Sequence, residues 1–408
     1  MKALLKRYKS QIGDSVWSIL GLVLMNAVAQ VVVFPLYSRL FGDIGYGDLQ
    51  YLMAYVNVIT VSVGCAANYA RMTAPAATRR ENNGDYNIFL LLVALLGLPF
   101  TLLVRRFGGV AMSDATYVCY YLLFVAMAFR YYADAAYKLT LNYRHYFYYY
   151  LCISVGYGVG AFLVYRTGIW PLGLLVGEAF GVIFAYVRGN TLRVHGLKLS
   201  PAWRHTFRII LTLLVSEGIA QLIFNIDRLL LKILVGSAAV TVYYLATLVG
   251  KTISLLTAPL NGVIIGYLAR YEGGLSRRLW RLLCLGSLAA ILLFTGVCAV
   301  GGYIVLLLLY PTELDAVKEF LLVGSLGQVI YFITGIMTVV LIRFAKKSYQ
   351  VYINLAFGVA FFGLGIPATI SRGIWGFAIA MVIACAVRWL VAVLLGAWHA
   401  RGAERQQA

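Results

Sequence analysis

Residues 188–208 read RGNTLRVHGLKLSPAWRHTFR. The stretch carries Arg188, Arg193, Lys198, Arg204 and Arg208 and no acidic residue. On either side the chain turns apolar, over residues 169–187 and 208–235. Runs of this length cross a hydrocarbon core roughly 30 Å thick. A five-cation gap between two such runs is the signature of a loop held on one side of a membrane.

The same alternation runs through the whole chain of 408 residues, which is 62% hydrophobic and 12% charged. Mean hydropathy is +0.85. Twelve spans are expected, at 15–40, 48–70, 87–104, 115–137, 147–165, 169–187, 208–235, 240–268, 282–302, 317–342, 349–370 and 374–398. Each must satisfy its own backbone groups in lipid, so each is expected to be a helix. A membrane barrel would show shorter, alternating segments instead. The first stretch is too long for a signal h-region and reads as a retained helix.

Basic residues collect in every second gap. The set at the N-terminus, after each even span and in the tail holds 23 Lys and Arg; Arg105, Arg106, Arg166 and Arg372 are the 4 in the opposite gaps. This asymmetry places both termini in the cytoplasm. It also accounts for most of the net charge of +19 without nucleic acid. A basic face suits anionic membrane lipids.

The gap at 188–207, with Pro201, divides the chain into an N-terminal six-helix bundle, 1–187, and a C-terminal one, 208–408. An even number of spans makes the halves parallel repeats. Short echoes agree with this: Arg166-Thr-Gly-Ile-Trp170 with Arg372-Gly-Ile-Trp375, and Asn68-Tyr-Ala-Arg71 with Tyr267-Leu-Ala-Arg270. The expected fold is therefore all-α and integral to the membrane.

No P-loop and no metal-binding motif is present, and His145, His195, His205 and His399 assemble no catalytic arrangement. No cofactor is expected. The six cysteines form no CxxC pair and read as small packing residues. The informative residues are ionisable groups inside spans: Arg130, Glu178, Glu217, Asp227, Arg228, Lys232, Lys251 and Arg388. Each costs at least a few kcal/mol at the bilayer centre unless it faces a partner or a wet cavity. Counting 1.5 Å per residue from the cytoplasmic ends puts Arg130 and Glu178 at one level, roughly 11–14 Å deep. Two readings stand side by side: a polar cavity for a charged or sugar-bearing substrate, or ion pairs joining helices. The cluster Tyr146-Phe-Tyr-Tyr-Tyr150 reads as part of an aromatic belt.

Several local patterns resemble one family. Asp14-Ser-Val-Trp-Ser18 opens a span ending Pro35-Leu-Tyr-Ser-Arg-Leu-Phe-Gly42; Gly45-Tyr-Gly-Asp-Leu49 and Asp85-Tyr86 follow. Asn225-Ile-Asp-Arg228, Val242-Tyr-Tyr-Leu-Ala246 and Arg372-Gly-Ile-Trp-Gly376 come later. Together they resemble the polysaccharide-exporter, O-antigen flippase branch of the multidrug/oligosaccharidyl-lipid/polysaccharide exporter superfamily. Val242 departs from the pattern, standing where Gly is usual before Tyr243. The resemblance implies a MATE-like fold in a bacterial cytoplasmic membrane. It implies transport, without enzymatic activity, of an undecaprenyl-diphosphate-linked oligosaccharide. It also implies an H+ or Na+ gradient and other polysaccharide-assembly proteins as partners. The rivals are a multidrug/cation antiporter of the same fold and a membrane polysaccharide polymerase.

The asymmetry sets an expected topology. Reporter fusions in 190–205 and at 400–408 should report the cytoplasm; an outer location for either contradicts it.

Overall fold

The computed structural model describes residues 17, 19–75, 79, 81–189, 196–254, 275–345 and 349–407. Among these residues the chain is helical throughout, with no strand. The first helix, α1, runs Ile19–Thr73. It is followed by α2 (Asn83–Phe107), α3 (Asp114–Ala133), the short α4 (Ala135–Thr140), α5 (Tyr143–Thr167) and α6 (Leu172–Arg188). Then come α7 (Trp203–Leu234), α8 (Ser237–Ser254), α9 (Arg277–Leu309), α10 (Leu321–Phe344) and α11 (Tyr349–Gln407).

Seven helices among the described residues are long and apolar enough to cross a membrane. Two of them hold two spans each. In α1 the break is at Gly42, and in α11 at Gly373, where φ is +66° and +57°. Three shorter or more polar helices, α3, α6 and α8, carry the remaining spans. These three hold Arg130, Glu178 and Lys251. Each thus carries an embedded charge, and α6 is in addition only 17 residues long. A helix lies at each of the twelve expected spans. The second half of the eighth, with Pro259, Asn261 and the Tyr267–Arg270 echo, lies outside the described residues.

Local chemistry sets the helix ends. Ser113, Asn142 and Ser276 accept from the backbone N–H groups of Thr116, His145 and Leu279, so three helices start on a side-chain cap. In α1 a π-turn at Ala29–Val33 precedes Pro35, which has no N–H to give the ladder.

Two compact units divide the chain, Met1–Leu229 and Leu230–Ala408, so that α7 belongs to both. In unit 1, α5 and α6 meet through Gly156 and Gly160 on one side and Gly173, Gly177 and Gly181 on the other. A Cβ added at Gly156 would stand 2.5 Å from the Gly177 Cα. Small residues at four-residue spacing are how membrane helices approach closely. In unit 2, α8 and α10 meet where Gly250 lies on Gln328 and Gly324 on Ala246 and Thr247. Trp280 of α9 donates from its indole to the Val393 carbonyl of α11 (3.1 Å).

The Gly-Ile-Trp echo occupies the same kind of place in each unit. Gly168 and Gly373 both have positive φ, +71° and +57°, and each turns the chain into the last span of its half. Trp170 then packs on Tyr120 of α3, centroids 5.8 Å apart, and Trp375 on Phe320, just before α10, at 4.8 Å.

A Cβ at Gly168 meets no atom within 4 Å, and the same holds for Gly158 inside α5. The two sites therefore differ in backbone conformation and not in space. Gly168→Ala should cost about 1–2 kcal/mol, the left-handed penalty. Gly158→Ala should be neutral or stabilise by up to about 1 kcal/mol. Thermal unfolding of detergent-solubilised protein measures both; equal losses would remove the turn argument.

Candidate functional site

Arg130 and Glu178, two embedded charges of unit 1, belong to one polar network. The close approach of α5 and α6 sets Tyr157 beside Glu178, and its hydroxyl donates to Glu178 Oε1 at 2.7 Å. On the other carboxylate oxygen, Arg130 Nε lies 2.5 Å from Oε2. Both side chains are almost fully buried, at 3% and 2% exposure. The Arg130 guanidinium also stands 3.8 Å from the centroid of Tyr131, a cation–π contact. Tyr149 donates to the Arg130 carbonyl (3.2 Å), and Asn68 of α1 donates to the Tyr131 carbonyl (3.0 Å). The shared depth read from the sequence is thus a direct contact.

A second carboxylate, Asp134, sits where α3 gives way to α4. Its Oδ2 accepts from Tyr146 and Tyr150, each at 3.1 Å, and faces Lys138 Nζ at 3.6 Å. This corrects the aromatic-belt reading. Tyr146, Tyr149 and Tyr150 are buried, while Tyr148 is exposed. The reason is helical spacing. Tyr146, Tyr149, Tyr150, Ile153 and Tyr157 form one inward stripe of α5, and the hydroxyls of Tyr146, Tyr150 and Tyr157 donate to buried carboxylates. Sequence reasoning missed Asp134, although it lies inside the expected fourth span and meets the same test as Arg130.

Nearer the basic end of unit 1, Arg71 donates to Asn83 Oδ1 and to the Tyr132 hydroxyl, and its guanidinium lies over the Tyr86 and Tyr132 rings. Asp85, fully buried, accepts from the Ser200 N–H (2.7 Å) and hydroxyl (2.6 Å). Asn87 donates to the Gly196 carbonyl at 2.9 Å. Residues 196–200 of the 188–207 gap are therefore fastened to the start of α2.

The other predicted residues fall as follows. Glu217 is half-buried on α7, on the side packed towards α1. Asp227 and Arg228 are buried further along α7, and Lys251 is buried on α8. Lys232 donates to the Ser237 hydroxyl at 2.5 Å. In unit 2, Arg388 is buried on α11. One guanidinium nitrogen donates to the Tyr331 carbonyl of α10 (3.0 Å) and another to Asn354 Oδ1 (3.3 Å). Its guanidinium lies 4.1 Å from the Tyr331 centroid. No carboxylate of its own unit is within ion-pair distance among the described residues. Arg388 Nε has no hydrogen-bond partner there either. The described residues hold no group of His, Cys, Asp and Glu that fits a metal ion.

The Arg130–Glu178 pair has a stability signature. Arg130→Met or Glu178→Leu alone leaves a buried charge uncompensated and should cost about 3–5 kcal/mol. The double variant should recover most of that loss. A double-mutant cycle by thermal unfolding checks it; losses that simply add would show that the pair is not coupled.

The fold is similar to that of solved transporters. Against the inward closed conformation of the lipid II flippase MurJ the TM-score is 0.63 at 12% identity, covering 94% of this chain and 87% of that one. Against an inward-facing multidrug resistance MATE family transporter of the MOP superfamily it is 0.66 at 14% identity, covering 96% and 100%. Against the Vibrio cholerae MATE transporter VcmN in the bent form it is 0.59 at 16% identity, covering 98% and 100%. No protein-family model matches the sequence, and no curated protein does. The chain is thus an all-helical, multi-pass membrane protein with a MATE- and MurJ-like fold.

Proposed function

We propose that this chain is a flippase. Its substrate is an undecaprenyl-diphosphate-linked oligosaccharide, moved by alternating access from the cytoplasmic to the outer leaflet of a bacterial cytoplasmic membrane. Arg388 carries the reading. It is a buried guanidinium in a spanning helix, held by a carbonyl, an amide oxygen and an aromatic face, with no carboxylate of its unit at ion-pair distance among the described residues. Such an arrangement leaves a positive charge and a spare N–H in a poorly screened place. A sugar diphosphate is polar and anionic, and charge-assisted bonds to a guanidinium are the strong ones. A lipid-linked headgroup needs that help to cross hydrocarbon, while its chain stays in the lipid.

The fold also suits the multidrug/cation antiporter named as the rival. Cation export asks for embedded carboxylates facing the substrate. In unit 1 the Glu178 carboxylate is already engaged by Arg130 and Tyr157. This favours the anionic substrate. Arg228 in unit 1 and Lys251 in unit 2, both buried, are each a further candidate phosphate contact of its own unit, and Glu217 and Asp227 are candidate counter-charges within unit 1.

Replacing Arg388 by Gln keeps a donor and nearly the same size. The variant should reach normal membrane abundance yet lose translocation of lipid-linked oligosaccharide by about tenfold or more, the equivalent of one charge-assisted bond. Reconstituted vesicles with a fluorescent lipid-linked sugar give the rate. Full translocation by this variant would remove the cationic mechanism.

A further inference from the structure

The outer face of α7 has the form of a lipid site that the embedded charges do not explain. Its inward face is fixed by packing. Phe207 stacks edge-on to Phe89 of α2 (5.6 Å), and Ile210 lies buried among Val63, Ala67, Ala70 and Tyr86. The opposite face then carries Arg204, Arg208, Leu211, Val215, Ile219 and Leu222, at the spacing of one helical stripe. The four apolar members are exposed by 52%, 65%, 57% and 41%. Of the seven long apolar helices, α7 is the least buried, with 17% of its most apolar window covered.

The head of this stripe is charged. An open recess of ≈ 580 Å³ runs past Trp203, Arg204, Phe207, Arg208, Leu211 and Val215. Arg204 and Arg208 are both exposed, and neither meets a carboxylate among the described residues. The Trp203 ring stands beside the Arg204 guanidinium at 5.4 Å. Between Arg204 and Val215 there is no acidic residue. Residues one turn apart on a helix have Cβ atoms about 5–6 Å apart, so the two guanidiniums can share two neighbouring phosphates. Below them the apolar stripe is one side chain wide and about 16 Å long from Leu211 to Leu222, at 1.5 Å per residue.

We infer that this face is the landing site of the lipid-linked diphosphate on the side the basic asymmetry assigns to the cytoplasm. Arg204 and Arg208 take the diphosphate, and one prenyl chain lies along Leu211, Val215, Ile219 and Leu222. Two cations match two adjacent phosphates, and a single row of apolar side chains matches a single chain. A bilayer glycerophospholipid offers one phosphate and two chains. The inference rests on the flippase reading for its substrate class.

The test uses the full-length protein in phosphatidylcholine nanodiscs with a photoreactive residue in place of Val215. The probe is a radiolabelled long-chain polyprenyl diphosphate. Light should couple it at position 215. The Arg204→Gln/Arg208→Gln pair should lower capture by about tenfold or more, since two charge-assisted bonds are lost. Excess phosphatidylglycerol should not displace the probe. Undiminished capture in the pair variant, or displacement by phosphatidylglycerol, overturns the site. Both arginines are exposed, so the fold should survive. Should abundance fall nonetheless, raised ionic strength applied to the unsubstituted arginines gives the same reading, because exposed charges are screened. Translocation in vesicles is measured alongside. Capture as expected without any translocation leaves the site and removes the flippase. Translocation with no capture leaves the flippase and removes the site.

Discussion

Charge placed in hydrocarbon is the constraint from which the rest of unit 1 follows. Arg130 and Glu178 are both nearly sealed from solvent, and each alone would cost several kcal/mol. Their contact is possible only because α3 and α6 are held in register, and α6 is held by its glycine seam with α5. The same seam brings Tyr157 to the free carboxylate oxygen. Tyr131 covers the guanidinium face, and Tyr149 and Asn68 satisfy carbonyls of the same helix turn. The high tyrosine content is therefore tied to buried charge. A phenol supplies apolar area to the lipid-facing bundle and a hydroxyl to the carboxylate.

Unit 2 repeats the frame and changes the electrostatics. Tyr120 and Tyr131 of α3 have counterparts in Phe320 and Tyr331, each 200 positions later in the chain. Gly168 and Trp170 answer to Gly373 and Trp375. In both units the tryptophan packs on the aromatic residue before or within the fourth span. In both, the central tyrosine has a guanidinium over its ring and a side-chain donor on its carbonyl. The source of the cation differs. Arg130 comes from the tyrosine's own helix and meets Glu178, whereas Arg388 comes from α11 and meets an amide. Among the described residues, Arg130 thus has a carboxylate partner within its unit and Arg388 has none. A duplicated scaffold allows this division, because the cradle stays the same while the counter-ion is dropped.

The helical spans among the described residues and the Gly-Ile-Trp turn were legible because each depends on local composition. The Arg130–Glu178 contact was legible from depth, since helices rise by a fixed amount per residue. What the sequence did not disclose was which side of a helix faces inward when every side is apolar or aromatic. Tyr146, Tyr149 and Tyr150 carried no polar alternation to mark them, so a belt was the natural reading. Asp134 lay near a span end and went unremarked, although those buried tyrosines converge on it. Asp85 and Ser200 were still harder to pair. Their bond links residues 115 apart and is set by tertiary packing alone. Nothing local to Asn354 showed that it would face Arg388.

The bond between Asp85 and Ser200 explains why α7 presents the face it does. Ser200 accepts from the Ala202 and Trp203 backbone N–H groups through its hydroxyl and carbonyl, so it sets the start of α7. Asp85 grips the same serine through both its N–H and its hydroxyl. One point on the helix is thereby pinned to α2. Phe207 against Phe89 supplies a second point, less than two turns further on, and Ile210 in the core a third. Three anchors along one side leave a helix no freedom to rotate. Arg204 and Arg208 then point outward as a result of how the inner side is held. The described end of the longest basic gap in the sequence thus fixes the angle at which Arg204 and Arg208 leave α7.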